Sequence, residues 1–340
     1  MMLIMFRKST KKWVISCLVL DILAIICLIV FYVPFFGIKD FLVTNAMSTM
    51  THKYIARTFY TDKMIADVFN KNTILNFEED TDPSKIDFSK LEDSGSYSSI
   101  YEEQVLKRDE DNDLYKIITI EEDGYKAYLA VIYDAKRVHL VQSSDSGKQK
   151  IDEIYEENKA ILAINASGYT YGKNRSKIPT GAVIIDGKIV SNKGVPNYGG
   201  GIVGFNKDGV LILVNDKAEA ALEAGMVQGM EFGPFLIVNG KMANIKGDGG
   251  WGKAQRTAIA QRKDGIVLML VCDGRQYNKG IYGMSIKQMA ELLLKYGAYN
   301  ASNLDGGNSA VMYADGQYIS TPSTQEGEGG RNLPNAWIVK

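Results

Sequence analysis

The chain has 340 residues, 46% of them hydrophobic, which is enough for a membrane segment, a spacer and one sizeable globular domain. Its net charge is −1, and the first twelve residues carry four basic side chains, so the remainder is mildly acidic. This balance argues against nucleic acid as a partner, because nucleic acid binding needs a basic face. Two of the three cysteines, Cys17 and Cys27, lie in an apolar N-terminal run, so the globular part with Cys272 alone cannot form an internal disulfide.

The N-terminal region predicts a basic tail over residues 1–12 and a transmembrane helix over residues 13–36. The apolar run contains one charge, Asp21, and is long enough to cross a hydrocarbon core of about 30 Å. Because the basic cluster precedes the run, we expect a single-pass protein of the cell membrane with a cytoplasmic N-terminus and an extracellular domain. A cleaved signal peptide is the alternative, since residues 44–46 form a small-x-small site, but the length of the run favours an uncleaved anchor.

Residues 37–113 are predicted to form a stalk helix followed by an acidic linker. Apolar side chains recur at mostly helical spacing between Thr44 and Asn72, and Thr61 can cap the second part of this helix. Residues 76–113 are polar, acidic and rich in serine, which predicts a segment with little core of its own.

From residue 114 to residue 340, short apolar runs alternate with turn signals such as Asp186-Gly187. One helix is predicted over residues 151–158, and a second opens at Ser285 with Gln288 at the capping-box position. Many strands with few helices indicate an α+β domain built on a mixed β-sheet. The predicted strands cover residues 128–133, 138–142, 160–165, 182–185, 210–214, 235–238, 257–261, 267–272 and 311–313.

The turn between residues 302 and 310 is the most informative stretch of the chain. Asp305 begins it, Gly306 and Gly307 follow, and Asn308 and Ser309 add two small polar side chains. The glycines lack Cβ atoms and permit positive φ, so a ligand can approach the backbone closely. With apolar residues on both sides, the turn should lie between buried elements and suits a polyhydroxylated or phosphorylated small molecule.

The residue types of the domain favour carboxylate chemistry. The two histidines, His52 and His139, lie away from every motif, which argues against a catalytic triad, a Cys-His dyad or a His-ligated zinc site. Asp273 and Asp305 each end an apolar run and begin a glycine turn, and a pair of carboxylates is what glycoside cleavage commonly uses. Glu291 lies on the helix between them and either completes the site or is a solvated helix charge.

Basic and amide side chains near these turns are candidates for substrate binding. Arg256 separates a glycine-rich stretch from a buried strand and is suited to grip a phosphate with two N–H groups. Arg275 is a second phosphate ligand or the partner of the aspartate two residues before it. Asn165, Asn308 and Ser309 can hydrogen-bond sugar hydroxyls or phosphate oxygens, or can cap turns.

Five motifs in order make residues from about 115 to 340 resemble the phosphodiester glycosidase family. They are Ala163–Ala166, Gly233–Gly240, Gln255–Ala260, Val271–Arg275 and Ser302–Ala310. The resemblance implies the same α+β fold and a flexible loop near the site, here residues 325–331 with Arg331. The family usually has an aromatic pair where this chain has Gly168-Tyr169, so the lining of the pocket differs.

The resemblance implies a hydrolase that cleaves a sugar-1-phosphodiester bond in cell-surface polysaccharide or exopolysaccharide. In this interpretation Arg256 holds the phosphate, Asp305 and Asp273 stabilise the transition state or activate water, and Glu291 assists. No cofactor is required, although a divalent cation bound by the two aspartates stays open. The alternatives are a non-catalytic glycan-binding or assembly protein of the cell envelope with the same fold, and a metal phosphodiesterase that cuts the P–O bond.

Overall fold

The computed structural model describes residues 2–33, 37–49, 52–90, 95–109, 112–193, 201–324 and 326–340. The chain divides into two compact units, Met1–Lys71 and Asn72–Lys340. The N-terminal unit is helical, and the larger unit carries the β-sheets.

The N-terminal unit begins with a long apolar helix. Its helices are α1 Met2–Tyr32, α2 Ile38–Met47, α3 Lys53–Phe59 and α4 Asp62–Lys71. Within α1, Lys11–Tyr32 is long and apolar enough to cross a membrane, a test that a signal sequence also passes. The predicted basic tail continues this helix, and residues 34–36, at the end of the predicted transmembrane segment, lie outside the described residues.

The three short helices of this unit share a small core that includes Val43, Ala56 and Val68. The backbone N–H of Met64 donates to the Thr61 hydroxyl at 3.3 Å, which confirms the predicted cap of α4.

In its described residues, the larger unit contains four α-helices and three main sheets. The helices are α5 Ile100–Leu106, α6 Ile151–Asn158, α7 Ala218–Glu223 and α8 Ile286–Lys295. The strands are β1 Ile74–Leu75, β2 Tyr115–Glu122, β3 Tyr125–Ile132, β4 Val138–Gln142, β5 Leu162–Asn165, β6 Tyr169–Tyr171, β7 Lys177–Pro179, β8 Gly181–Ile185, β9 Lys188–Lys193, β10 Ile202–Asn206, β11 Leu211–Val214, β12 Met226–Glu231, β13 Phe235–Val238, β14 Lys241–Met242, β15 Asn244–Ile245, β16 Arg256–Arg262, β17 Val267–Cys272, β18 Ala298–Asn303, β19 Met312–Ala314, β20 Gln317–Tyr318 and β21 Asn335–Val339.

The largest sheet has seven strands in the order β14-β13-β18-β16-β17-β3-β2. Two five-stranded sheets have the orders β11-β10-β12-β8-β9 and β20-β19-β5-β21-β4. The predicted α+β class, with helices and several sheets, is confirmed. The predicted helix α8 is also confirmed, with a capping box in which Ser285 and Gln288 satisfy each other's backbone N–H groups.

One edge of the seven-stranded sheet collects the polar turns. Strand β16 is antiparallel to both β17 and β18, so β17 and β18 run in the same direction and end at the same edge. Asp273 directly follows β17, and Asp305 follows β18 two residues after its end. Because β16 lies between them and strands are about 4.8 Å apart, the two strand ends are separated by roughly 10 Å.

The acidic segment before residue 114 packs on the domain. Ile74 in β1 pairs with Ile245 in β15, and the Thr81 N–H donates to the Leu213 carbonyl at 3.1 Å. Val105 in α5 is completely buried. The compact unit therefore begins at Asn72, well before the predicted boundary between residues 113 and 114.

Candidate active site

The Asp305 turn is fixed to two neighbouring strands by its backbone. The Asp305 N–H donates to the Ala166 carbonyl at 3.1 Å, and the Gly307 N–H donates to the Gln255 carbonyl at 2.8 Å. A Cβ atom on Gly306 would lie 2.8 Å from the Gln255 carbonyl oxygen, and Gly307 has a φ of 58°. Side chains are excluded at the first glycine by contact and strained at the second by backbone conformation, so this turn requires both glycines.

Asn165 holds the Asp305 turn in place through hydrogen bonds of its side chain. Its side chain is fully buried, and its Oδ1 accepts from the Thr257 hydroxyl at 2.8 Å and from the Val311 N–H at 3.1 Å. Its Nδ2 donates to the Asp305 carbonyl at 2.6 Å. The predicted contact of Asn165 with substrate stays a prediction, whereas these bonds give it a positioning role.

The Asp305 carboxyl lies partly buried in a field of positive charge. Burial raises its pKa to about 6, against the opposing effects of a hydrogen bond from Ser309, the charges of Arg331 and Lys177, and the Gly306 N–H. A carboxyl group with a pKa in this range can take up or release a proton near neutral pH. Asp305 thus accepts a hydrogen bond from Ser309, and the predicted contact of Ser309 with substrate stays a prediction.

The buried Lys177 acts on this carboxyl through its charge. The Lys177 side chain is 2% exposed, and its Nζ is 2.6 Å from Glu326 Oε2 and 2.9 Å from the Asn332 carbonyl. It also lies 4.5 Å from the centre of the Tyr169 ring. Arg331 reaches the same glutamate, with its Nε 3.4 Å from Glu326 Oε1. Lys177 and Glu326 line a cleft of about 630 Å³ together with Tyr171, Gly172, Arg175 and Asn332.

Arg275 joins this cluster from the turn after β17. Its Nη1 donates to Asn308 Oδ1 at 3.3 Å, and a Cβ atom on Gly307 would lie 3.6 Å from the same nitrogen. Burial lowers its pKa, and the charge of Arg331 acts in the same direction. Its backbone has a φ of 57°, a strained conformation of the kind that functional sites often hold. Among the ion pairs of the described residues, the alternative bridge from Arg275 to Asp273 is not observed.

Asp273 has a different environment from Asp305. It is 2% exposed, and its two carboxylate oxygens accept from the Thr321 N–H at 2.8 Å and the Thr321 hydroxyl at 2.7 Å. Burial raises its pKa, while hydrogen bonds from Thr321 and Gln276 oppose the shift. The structure places Asp273 at the same sheet edge as Asp305 but uses its oxygens to fix the segment at Thr321.

Arg256 is engaged with the glycine-rich stretch before it. It is 4% exposed, its Nε donates to the Met284 carbonyl at 3.0 Å, and its Nη2 donates to the carbonyls of Trp251 at 2.8 Å and Gly252 at 2.6 Å. Burial lowers its pKa to about 10. Three of its five N–H groups thus stabilise local backbone, and its predicted grip on phosphate stays a prediction.

Glu291 lies on the exposed face of α8. Its side chain is 47% exposed, and its Oε1 is 4.0 Å from the Nζ of Lys287, one turn earlier. The structure does not bring it into the cluster around Asp305, because α8 buries its opposite face against the sheet. The reading of Glu291 as a solvated helix charge fits this geometry.

Metal dependence stays a prediction. In the part of the chain that the structure describes, no group of three or more His, Cys, Asp or Glu side chains could hold a metal ion. The predicted ligands Asp273 and Asp305 have the separate partners described above.

One member of the cluster, Lys177, carried no signal in the sequence, and another, Glu326, was marked only by its place in the loop that the resemblance puts near the site. Lys177 belongs to a three-residue strand and reads as a solvent-facing lysine, and Glu326 lies in a polar glycine-rich loop. Only contacts between β7 and this loop, far apart in the chain, bring them together. Arg331 and Tyr169 were reachable through the resemblance, because both lie where the family places its loop and its aromatic pair.

The whole cluster from Asn165 to Arg331 lies within one recognisable family domain. The family model described as phosphodiester glycosidase matches residues 158–340, more than half of the chain. The chain belongs to the phosphodiester glycosidase family. The resemblance seen in the sequence motifs is therefore confirmed.

Curated relatives of this phosphodiester glycosidase family member match over part of their length. N-acetylglucosamine-1-phosphodiester alpha-N-acetylglucosaminidase of Homo sapiens is 30% identical over 158 residues, covering 40% of this chain and 30% of that protein. The SPbeta prophage-derived uncharacterized protein YomE of Bacillus subtilis (strain 168) is 26% identical over 186 residues, covering 52% of this chain and 28% of that protein. The chain thus spans less than a third of the length of these relatives.

A solved structure shares the fold. The catalytic domain of zebrafish N-acetylglucosamine-1-phosphodiester alpha-N-acetylglucosaminidase, auto-inhibited by its pro-peptide, matches with a TM-score of 0.52 at 21% identity. The match covers 66% of this chain and 81% of the zebrafish chain. At this identity the likeness shows the fold alone.

Proposed function

We propose that this chain hydrolyses a sugar-1-phosphodiester, breaking the bond between the anomeric carbon and the phosphate oxygen. Membership of the family supports the class of reaction. The observation that carries the proposal is the Asp305 carboxyl, whose pKa is raised to about 6 beside Ser309, Lys177 and Arg331. A titratable carboxyl next to several cations suits a substrate with an anionic leaving group on a sugar.

The phosphate is held by Arg275, Lys177 and Arg331 in this proposal. A phosphodiester carries one negative charge, and the cluster contains three cations against the carboxyl groups of Asp305 and Glu326. Charge-assisted N–H bonds from arginine and lysine are the strong contacts to phosphate oxygens. Arg256 is assigned to the backbone instead, because three of its N–H groups already bind carbonyls.

Asp305 acts in its ionised form. The departing phosphate monoester is a good leaving group, so little help from a protonated acid is needed at the bond that breaks. An ionised carboxylate stabilises the oxocarbenium-like transition state or removes a proton from the attacking water. Asn165 and Ser309 position this carboxylate through the turn, and Asp273 positions the segment at Thr321.

The substrate is an envelope glycan in this proposal. The apolar helix Lys11–Tyr32 supports attachment to a membrane, and the basic residues before it support a cytoplasmic N-terminus. The catalytic domain would then face cell-surface polysaccharide or exopolysaccharide that contains sugar-1-phosphate linkages.

The test uses the full chain purified in detergent micelles. It is incubated with UDP-N-acetylglucosamine, with the methyl phosphodiester of N-acetylglucosamine 1-phosphate and with wall-derived polymer, in ¹⁸O-water. Release of sugar that carries the label supports the proposal, since water has then attacked carbon. Label in the phosphate, together with loss of activity in EDTA, supports the metal phosphodiesterase instead. Saccharide binding without release of sugar supports the glycan-binding protein.

A further inference from the structure

Exposed aromatic side chains occur next to two members of the charged cluster, Lys177 and Arg275. Among the described residues from 72 to 340, the aromatic side chains that are more than a third exposed are Tyr171 at 54%, Tyr277 at 61% and Tyr282 at 42%. Tyr171 lines the cleft of Lys177 and Glu326, and Tyr277 and Tyr282 lie in the loop after Arg275, so each exposed ring can pack against a ligand beside a charged side chain.

Tyr171 lies on one side of the cluster. Its ring is 5.6 Å from the ring of Tyr169, edge to face, and Lys177 Nζ lies over the Tyr169 ring at 4.5 Å. Tyr171 also lines the same cleft as Lys177 and Glu326. The exposed ring therefore shares a cleft with Lys177, whose charge acts on Asp305.

Tyr277 and Tyr282 lie beside a different member of the cluster, in the loop that follows Arg275. Their rings are 6.1 Å apart, and Tyr277 is near enough to Arg275 to oppose the lowering of its pKa. Arg275 in turn binds Asn308 of the Asp305 turn at 3.3 Å. A second aromatic surface is thus joined to the Asp305 turn through Arg275.

Aromatic rings next to cations match the alternation of sugars and phosphates in a phosphodiester-linked chain. The C–H face of a sugar ring packs on an aromatic ring, and a phosphate binds between cations. A chain of sugars linked by phosphodiesters presents a sugar on each side of every phosphate. A single sugar phosphodiester would use one of the two aromatic surfaces and leave the other without a role.

We propose that the site binds an extended phosphodiester-linked glycan, with one sugar on Tyr171, another on Tyr277 and Tyr282, and the phosphate that is cut between them. This inference rests on the proposed function and names its substrate class. Cleavage then occurs inside the polymer, and the first products are oligomers instead of single sugars.

The test compares a short probe with a long one on the full chain in micelles. The short probe is the methyl phosphodiester of N-acetylglucosamine 1-phosphate, and the long probe is a tetramer of N-acetylglucosamine joined through 1-phosphodiesters. We expect the tetramer to bind at least about tenfold more tightly. Tyr171→Ala and Tyr277→Ala should each remove most of this gain, whereas Tyr171→Phe and Tyr277→Phe retain it.

Tyr54→Ala serves as the matched control, since Tyr54 is 64% exposed but belongs to the N-terminal unit. Equal binding of the two probes, or a gain that survives both alanine variants, overturns the extended site. Hydrolysis of both probes with equal kcat/KM also overturns it and leaves the proposed reaction standing. Tyrosine-dependent binding of the tetramer without any hydrolysis supports the extended site and rejects the reaction.

Discussion

Two aspartates that look alike in the sequence have different surroundings in the fold. Asp273 and Asp305 each follow a buried strand, begin a glycine turn and lie at the same edge of one sheet. Both oxygens of Asp273 are bound to Thr321, whereas Asp305 accepts from Ser309 beside Lys177 and Arg331. The difference shows that the role of a carboxylate depends on the partners its oxygens already have.

A pair of isosteric variants gives the strongest test of the difference between the two aspartates. Asp305→Asn should lower kcat by about 10³-fold, because the amide cannot supply the charge or take up a proton. Asp273→Asn should lower kcat by about tenfold at most, since an amide retains part of the bonding to Thr321. Purified full chains are compared in sugar-release assays, with circular dichroism spectra as a check on folding. Losses of equal size would contradict the division of roles.

The pH dependence of activity should follow Asp305. Because its pKa is raised to about 6 and its ionised form acts, kcat/KM should rise about tenfold per pH unit up to pH 6 and then level off. The phosphodiester stays anionic over this range. A rate that falls as pH rises through 6 would instead assign Asp305 as the acid. Asp273→Asn should retain the profile of the parent chain.

Stability should change in the opposite direction over the same range. The pKa of Asp305 in the folded chain is above its value of about 4 in the unfolded chain, so the fold favours the protonated form. Its contribution to stability is present below pH 4 and lost as pH rises through 6. Thermal unfolding from pH 4 to 7 measures this, and Asp305→Asn should reduce the slope.

Variants of Arg275 and Arg256 test which of the two arginines binds the phosphate. Arg275→Lys should raise KM about tenfold with an unchanged Tm, because a phosphate contact becomes less precise. Arg256→Lys should reduce the free energy of unfolding by about 2 kcal/mol, since carbonyls of Met284, Trp251 and Gly252 lose donors. Steady-state kinetics and denaturant titration separate the two effects. A KM change in Arg256→Lys without a loss of stability would return the phosphate role to Arg256.

Glu326 should give the smallest effect. Its carboxylate binds Lys177 and Arg331, so Glu326→Gln should leave both cations more available and lower KM for a phosphodiester about threefold. The change should shrink at high salt. Glu328→Gln, an exposed acid on the same loop, is the control and should leave KM unchanged. A higher KM for Glu326→Gln would mean that the glutamate positions Lys177 for the substrate.

Local sequence signals predicted much of the fold. The capping box at Ser285, the strand that ends at Cys272 and the glycine turn after Asp305 depend on neighbours in the chain, and the structure has all three. Contacts between segments that are far apart in the chain could not be predicted from the sequence. The buried Lys177 and the bond from Arg256 to the Met284 carbonyl depend on such contacts.

The start of the domain could not be predicted from the sequence, because it too depends on contacts between distant segments. Ile74 directly precedes the polar, acidic residues 76–113 and Val105 lies within them, and the average composition of this stretch predicted a linker. Each becomes part of the domain only through a partner far along the chain, such as Ile245 for Ile74. Composition describes the solvent-facing side of such a segment and misses the few side chains that pack.

Strand β21 has a consequence for how the protein is made. It lies between β4 and β5, with Trp337 fully buried, although β4 and β5 come much earlier in the chain. During synthesis β4 and β5 cannot become part of one sheet until residues 335–339 have been made, because β21 pairs with both. The delay keeps this sheet incomplete until residues 335–339 have been made. A ribosome that stalls or a protease that cuts before Asn335 leaves β4 without the strand that joins it to β5.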